Sequence, residues 1–191
     1  MTENKFDGFV FVDLETTGLD EDLCEILELG ILVTDKNFNV LGEFSEVCYF
    51  DLELSKNGID DFVIQMHEKN GLWNACAKAV TSRLGVEKAA IEFLEGGGWT
   101  QQPLTGSTIS FDRGFLKVHM PRLEGVFHYR NIDVSSLKGL FNKFGWPRTP
   151  SEYESYNPHR SLSDCYDTMR DLRSYTEAID RGMNHYCGGL A

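Results

Sequence analysis

The sequence predicts an α/β fold in which helices flank a mixed five-stranded sheet. Three observations carry this. Three strand-like runs follow one another in the first 50 residues, strand-like and helix-like segments alternate from residue 103 onward, and one long helical stretch closes the chain. A meander followed by β–α alternation calls for antiparallel pairing in one part of a sheet and parallel pairing in the other.

The elements follow in order. Residues 8–14 (GFVFVDL) form an apolar, β-branched and aromatic run that ends in acids, the signature of a buried strand. Residues 26–34 (ILELGILVT) and 40–49 (VLGEFSEVCY) read as two further strands, and the intervening DKNFN has the turn residues and length of a hairpin loop. Residues 59–69 and 85–95 space their apolar positions by three and four, as helices do. Short strands are predicted near 103–109 and 131–134, each followed by a helix, at 113–119 and 135–144. Three prolines and many polar residues make 146–158 a loop into the last helix, predicted near 161–180. EGGGWTQQP (95–103) lacks the Lys-Ser or Lys-Thr of a phosphate-binding loop and reads as a flexible connection.

Composition narrows the function classes. With 191 residues, 41% of them hydrophobic and 25% charged, the chain suits one domain, placed at 1–182, followed by a loosely held tail at 183–191. Five scattered cysteines without a C-x-x-C pair argue against a disulfide framework or zinc knuckle and for a reducing compartment. No signal-peptide pattern and no membrane-length apolar run is present, so a cytoplasmic protein without membrane attachment is expected. Thirty acids against 18 bases give a net charge of -12, which argues against a grip on long nucleic acid through its phosphates. A short substrate held at one local site stays compatible with it.

Candidate chemistry comes from acids and one histidine. Asp13 and Glu15 lie two apart at the end of the first strand, so the strand period puts both on one side of the sheet, where they could hold a hard divalent cation. Asp112 follows a strand-like segment and opens a helix; its plain alternative is a helix N-cap. His159 stands just before the last helix and Asp164 inside it, with a solvated or structural role as the alternative for both. His185 and Cys187 are two potential ligands in the predicted tail and lack partners for a metal site.

Taken together, D-x-E at the end of strand one, an isolated Asp near the middle and H-x-x-x-x-D entering the last helix resemble the DEDD exonucleases, in their histidine-bearing branch of the ribonuclease H-like fold. The stretches VDLETTGLD, ILELGILVTD, MHEKNGL and DRGFLKVHMPRLEGVFHYRNIDVSSLK, then H-x-S-x-x-D, run in order from residue 12 to 164 and resemble the oligoribonuclease family. That resemblance implies a 3′–5′ exoribonuclease that degrades short oligoribonucleotides, dinucleotides to a few nucleotides, to nucleoside 5′-monophosphates. It implies two divalent ions, Mg²⁺ or Mn²⁺, on Asp13, Glu15, Asp112 and Asp164, with His159 as general base. It further implies an apolar wedge at Leu19, stacking at Phe62 and His67, and a 5′-phosphate cap of Thr108, Arg130 and Ser135. Tyr129 is implied to reach in from the second subunit of a homodimer.

The chain departs from the family at several positions. Phe62 stands in place of tryptophan, Thr108 in place of serine in the cap, Asn70 in place of serine in M-H-x-x-S-G-L, and Ser161 in place of alanine. These leave room for longer or deoxyribose substrates. Two alternatives follow: a DNA-trimming 3′–5′ exonuclease of the same fold, and a catalytically silent module that binds RNA ends. Within the resemblance, the charge of -12 points to substrate length, because Arg130 and Lys138 could serve a ligand of two to a few nucleotides without any basic track for long duplexes.

Overall fold

A computed structural model describes residues 6–55, 58–147 and 159–187. Its core is a five-stranded sheet of β1 (Gly8–Thr16), β2 (Ile26–Asp35), β3 (Val40–Val47), β4 (Pro103–Gly106) and β5 (His128–Asp133). The helices are α1 (Leu52–Ser55), α2 (Asp61–Lys69), α3 (Leu72–Lys78), α4 (Arg83–Gly96), α5 (Ser110–His119), α6 (Pro121–Glu124), α7 (Val134–Phe144) and α8 (Ser161–Cys187). Strand order is β3-β2-β1-β4-β5. The meander β1–β2–β3 pairs antiparallel, whereas β1–β4 and β4–β5 pair parallel. The sheet is therefore mixed and flanked by helices, the architecture of the ribonuclease H-like fold.

β1 is central and covered on both faces, and its alternating side chains divide the core in two. Val10, Val12 and Leu14 join a cluster with Val86, Leu94, Phe115 and Leu116 of α4 and α5. Phe9 and Phe11 point the other way, into a cluster with Val134 and Phe141 of α7 and Cys165, Leu172 and Tyr175 of α8. Asp13 and Glu15 share the parity of Phe9 and Phe11, so they emerge on the α8 face as the strand runs out of apolar residues.

α8 crosses that face close to the sheet. Gly30 of β2 makes the approach possible: a Cβ there would lie 2.5 Å from the Ser161 carbonyl carbon and 2.6 Å from the Leu162 nitrogen. The helix also runs past its predicted end near 180 to Cys187. Residues 188–191 and most of the predicted loop, 148–158, lie outside the described residues. Among the described residues no helix is long and apolar enough to cross a membrane.

Candidate active site

Three distant segments meet at the C-terminal end of β1. β1 supplies Asp13 and Glu15, the first turn of α5 supplies Asp112, and the first turn of α8 supplies Asp164. One ligand atom each from Glu15, His159 and Asp164 lie within 4.8 Å of one another. Asp112 is not an N-cap. Its Oδ1 accepts the Leu14 N–H at 3.0 Å, and Ile109, which bears no capping side chain, precedes the helix. This bond ties α5 to β1 and turns Asp112 toward the β1 acids.

The electrostatics of this cluster are costly without a cation. Burial, followed by the charges of Asp112, Glu15 and Asp164, pushes Asp13 well above the usual carboxylate range. Burial and the charges of Asp164 and Glu28 push Glu15 up to about 8. Burial also raises Asp112 to about 7, against the lowering effect of the Leu14 hydrogen bond, and Asp164 to about 6. Carboxylates at such spacing resist ionisation unless positive charge is supplied. The nearby guanidinium, Arg160, is already committed to Glu28, with Nε–Oε2 at 2.9 Å and Nη2–Oε1 at 2.6 Å. A set of hard oxygen donors with raised pKa values, whose neighbouring guanidinium is already paired, fits Mg²⁺ or Mn²⁺ well.

The residues expected around the substrate fall into two groups. Leu19, Phe62 and Tyr129 project into solvent, 83%, 70% and 74% exposed. Arg130 lies over the Tyr129 ring at 5.3 Å. His67 departs from the expectation. It is 0% exposed, packs edge-on against Trp73, and its Nε2–H meets the Thr16 carbonyl at 3.1 Å. Without exposed surface its ring offers no stacking platform in this structure; it buttresses the end of β1, and burial lowers its pKa.

At the expected phosphate cap, one oxygen organises the donors. Asp133 Oδ1 accepts the Thr108 N–H at 3.0 Å, the Ser135 N–H at 2.9 Å and the Ser135 hydroxyl at 2.6 Å. Ser135 must rotate its hydroxyl away from Asp133 before it can donate to a phosphate. Thr108 holds a left-handed backbone, φ 57°, which a β-branched residue adopts only under constraint from its surroundings.

Two structural residues beside the site escaped sequence reasoning. Glu28 sits within β2 directly across from Glu15 and is 1% exposed. A carboxylate inside the apolar run ILELGILVT was its visible signal, since a buried charge requires a partner. Arg113, next to Asp112, donates to the Tyr129 carbonyl at 2.8 Å and the His128 carbonyl at 2.6 Å, and so fixes β5 against α5.

Several known proteins are similar to this chain. The profile of the RNase T exonuclease family matches residues 10–171. The oligoribonuclease of Pseudomonas aeruginosa is 36% identical over 173 residues, 89% of this chain and 94% of its own length. The chain belongs to the oligoribonuclease family of exonucleases. Another oligoribonuclease, from Corynebacterium glutamicum, is 38% identical over 176 residues, 91% of this chain and 80% of its own. At the level of fold, E. coli exonuclease I in complex with a dT13 oligonucleotide gives a TM-score of 0.65 at 17% identity, over 94% of this chain. Exonuclease I from Methylocaldum szegediense gives 0.66 at 14% identity over 94% of this chain. This chain spans 43% and 42% of those two, so their likeness speaks for the fold alone. As a member of the oligoribonuclease family the chain is a metal-dependent exonuclease, a phosphodiesterase acting on nucleic acid.

Proposed function

We propose that this exonuclease removes nucleotides from the 3′ end of very short RNA, two to a few residues long, and releases nucleoside 5′-monophosphates. Asp13, Glu15, Asp112 and Asp164 hold two divalent cations, and the working enzyme is a cytoplasmic homodimer in which Tyr129 serves the neighbouring subunit's site. The observation that carries the reading is the convergence of Glu15, His159 and Asp164 within 4.8 Å at the end of β1, in a chain akin to oligoribonucleases. The net charge of -12 supports the limit on length, because a polymer-binding track needs basic residues that this chain lacks in number.

When bound, divalent cations supply positive charge to the scissile phosphate and acidify the attacking water. The chain's own residues do the rest. His159 accepts a proton from that water at one imidazole nitrogen, as a general base placed within reach of the acids. Leu19 and Phe62 hold the terminal bases through apolar contact and stacking, from their exposed positions at the rim. Arg130 and the Thr108 hydroxyl meet the 5′ phosphate, joined by Ser135 once its hydroxyl has turned from Asp133.

The test is a length series: end-labelled RNA from dinucleotide to 20-mer, incubated with Mg²⁺, Mn²⁺ or EDTA. Metal-dependent release of mononucleotides, fastest on the shortest RNA, is expected. Equal rates at all lengths would refute the short-substrate reading, and no processing of any RNA would refute the ribonuclease reading. The second reading is a DNA-trimming exonuclease of the same fold, which faster turnover of single-stranded DNA than of RNA would support.

A further inference from the structure

The proposed base, His159, stands outside regular secondary structure, in a left-handed backbone conformation with φ 60° immediately before α8. Such a conformation persists at a residue bearing a Cβ only when its surroundings over-determine it. Here they do so from three directions. The His159 N–H donates to Asp164 Oδ2 at 3.1 Å. The His159 carbonyl accepts a hydrogen bond from Asn70 Nδ2, at the end of α2. The next residue, Arg160, grips the buried Glu28 carboxylate with two nitrogens, at 2.9 and 2.6 Å, and the Ser161 N–H donates to that same carboxylate at 3.1 Å.

We infer that Glu28, Arg160 and Asn70 are positioning residues that bracket the His159 backbone and so fix where its imidazole meets the attacking water. The inference rests on the reading of His159 as base. Glu28 is placed for this role because it belongs to β2, the most completely buried strand, where the chain has least freedom to move. Its carboxylate caps the first turn of α8 and orients the guanidinium in a planar fork, a geometry that lysine does not reproduce. Arg160 in turn cancels a charge that would otherwise add to the repulsion on Glu15. Asn70 is oriented at both ends of its amide: Oδ1 accepts the Leu72 N–H at 3.0 Å, which leaves Nδ2 for His159. The bracket thus reaches His159 from β2 on one side and from the α2–α3 junction on the other.

The experiment compares Asn70→Ala, Asn70→Ser, Arg160→Met, Arg160→Lys and His159→Ala in steady-state turnover of an RNA dinucleotide with Mn²⁺. Each variant also receives a metal-free readout, the NMR resonance of the His159 Hε1 proton in histidine-labelled protein. Arg160→Met is expected to lower kcat about 10- to 100-fold, the range seen when partners that orient a reacting group are removed, with KM changed less than about twofold. Arg160→Lys recovers part of that loss. Asn70→Ala and Asn70→Ser lower kcat roughly fivefold, as the loss of one neutral hydrogen bond implies. In all four the His159 resonance shifts or broadens. If Arg160→Met fails to fold, the half-buried Asn70 at the end of α2 still decides the matter. Wild-type kcat together with an unchanged His159 resonance in the Asn70 variants overturns the bracket. Full activity of His159→Ala overturns the base instead, and the resonance then judges the bracket alone.

Discussion

The two halves of the site are built in opposite ways. The acidic half draws on β1, α5 and α8; Glu15 and Asp112 are withdrawn from water, 6% and 4% exposed, and Asp13 and Asp164 are half-buried. The rim, at Leu19, Phe62 and Tyr129, stands almost wholly in solvent, on the loop after β1, the start of α2 and the edge strand β5. Burial makes like charges expensive and so raises their proton affinity, but it also strengthens every interaction they make with a cation or a phosphate. Apolar and aromatic groups at a rim need no such environment, because they gain only when a base covers them. The acidic half is therefore tied to the scaffold, whereas the rim can change without threat to the fold, as phenylalanine in place of tryptophan at position 62 suggests.

That contrast can be broken by mutation. Asp112→Asn keeps an oxygen for the Leu14 N–H but loses the charge, so turnover should fall by about 10³-fold with the fold preserved. Wild-type turnover by this variant would remove Asp112 from the chemistry. Phe62→Ala should instead raise KM roughly tenfold with little change in kcat, since one lost stacking contact is worth about 1–3 kcal/mol in binding alone. A fall in kcat as large as that of Asp112→Asn would erase the distinction between the halves.

The smallest effect is on stability. Without metal, Glu15 and Asp112 hold protons up to about 8 and 7 in the folded protein, whereas carboxyls of the unfolded chain ionise near 4. Between those values the folded state binds more protons. The contribution of these two groups to stability is thus fully present below about pH 4 and is lost as pH rises through 7 to 8. Thermal melts in EDTA should show Tm lower at pH 8 than at pH 6 by roughly 5 °C, and Mn²⁺ should raise Tm more at pH 8 than at pH 6. A Tm that climbs with pH in EDTA would contradict the raised carboxyl pKa values.

Much of this architecture was legible in the sequence wherever burial imposes a pattern. All five strands were readable, since apolar runs and turn residues mark them. The errors fall where exposure or backbone strain intervenes. β5 was predicted to begin at 131 and begins at His128, because HYRN lies on an exposed edge and looks polar. β4 was predicted to run to 109 and stops at Gly106, before the left-handed Thr108. α3 was missed because it starts after Gly71 with no capping side chain, and α1 and α6 are four residues each, too short to display a period. The candidate acids and His159 could be named from spacing and resemblance, and the structure gathers them at one end of β1. Burial of His67 depends on Trp73 and the Thr16 carbonyl, neither of which its own neighbours in sequence announce. Glu28 and Arg160 lie 132 residues apart, and no local pattern can pair them.

The order in which these pieces occur along the chain has a consequence for synthesis in the cell. β1 is synthesised before α8 and carries two of the acids, whereas His159 and Asp164 arrive only with the α8 segment, which lies close against Gly30 of β2. A chain synthesised only as far as α7 lacks two members of the Glu15, His159 and Asp164 cluster and cannot assemble it.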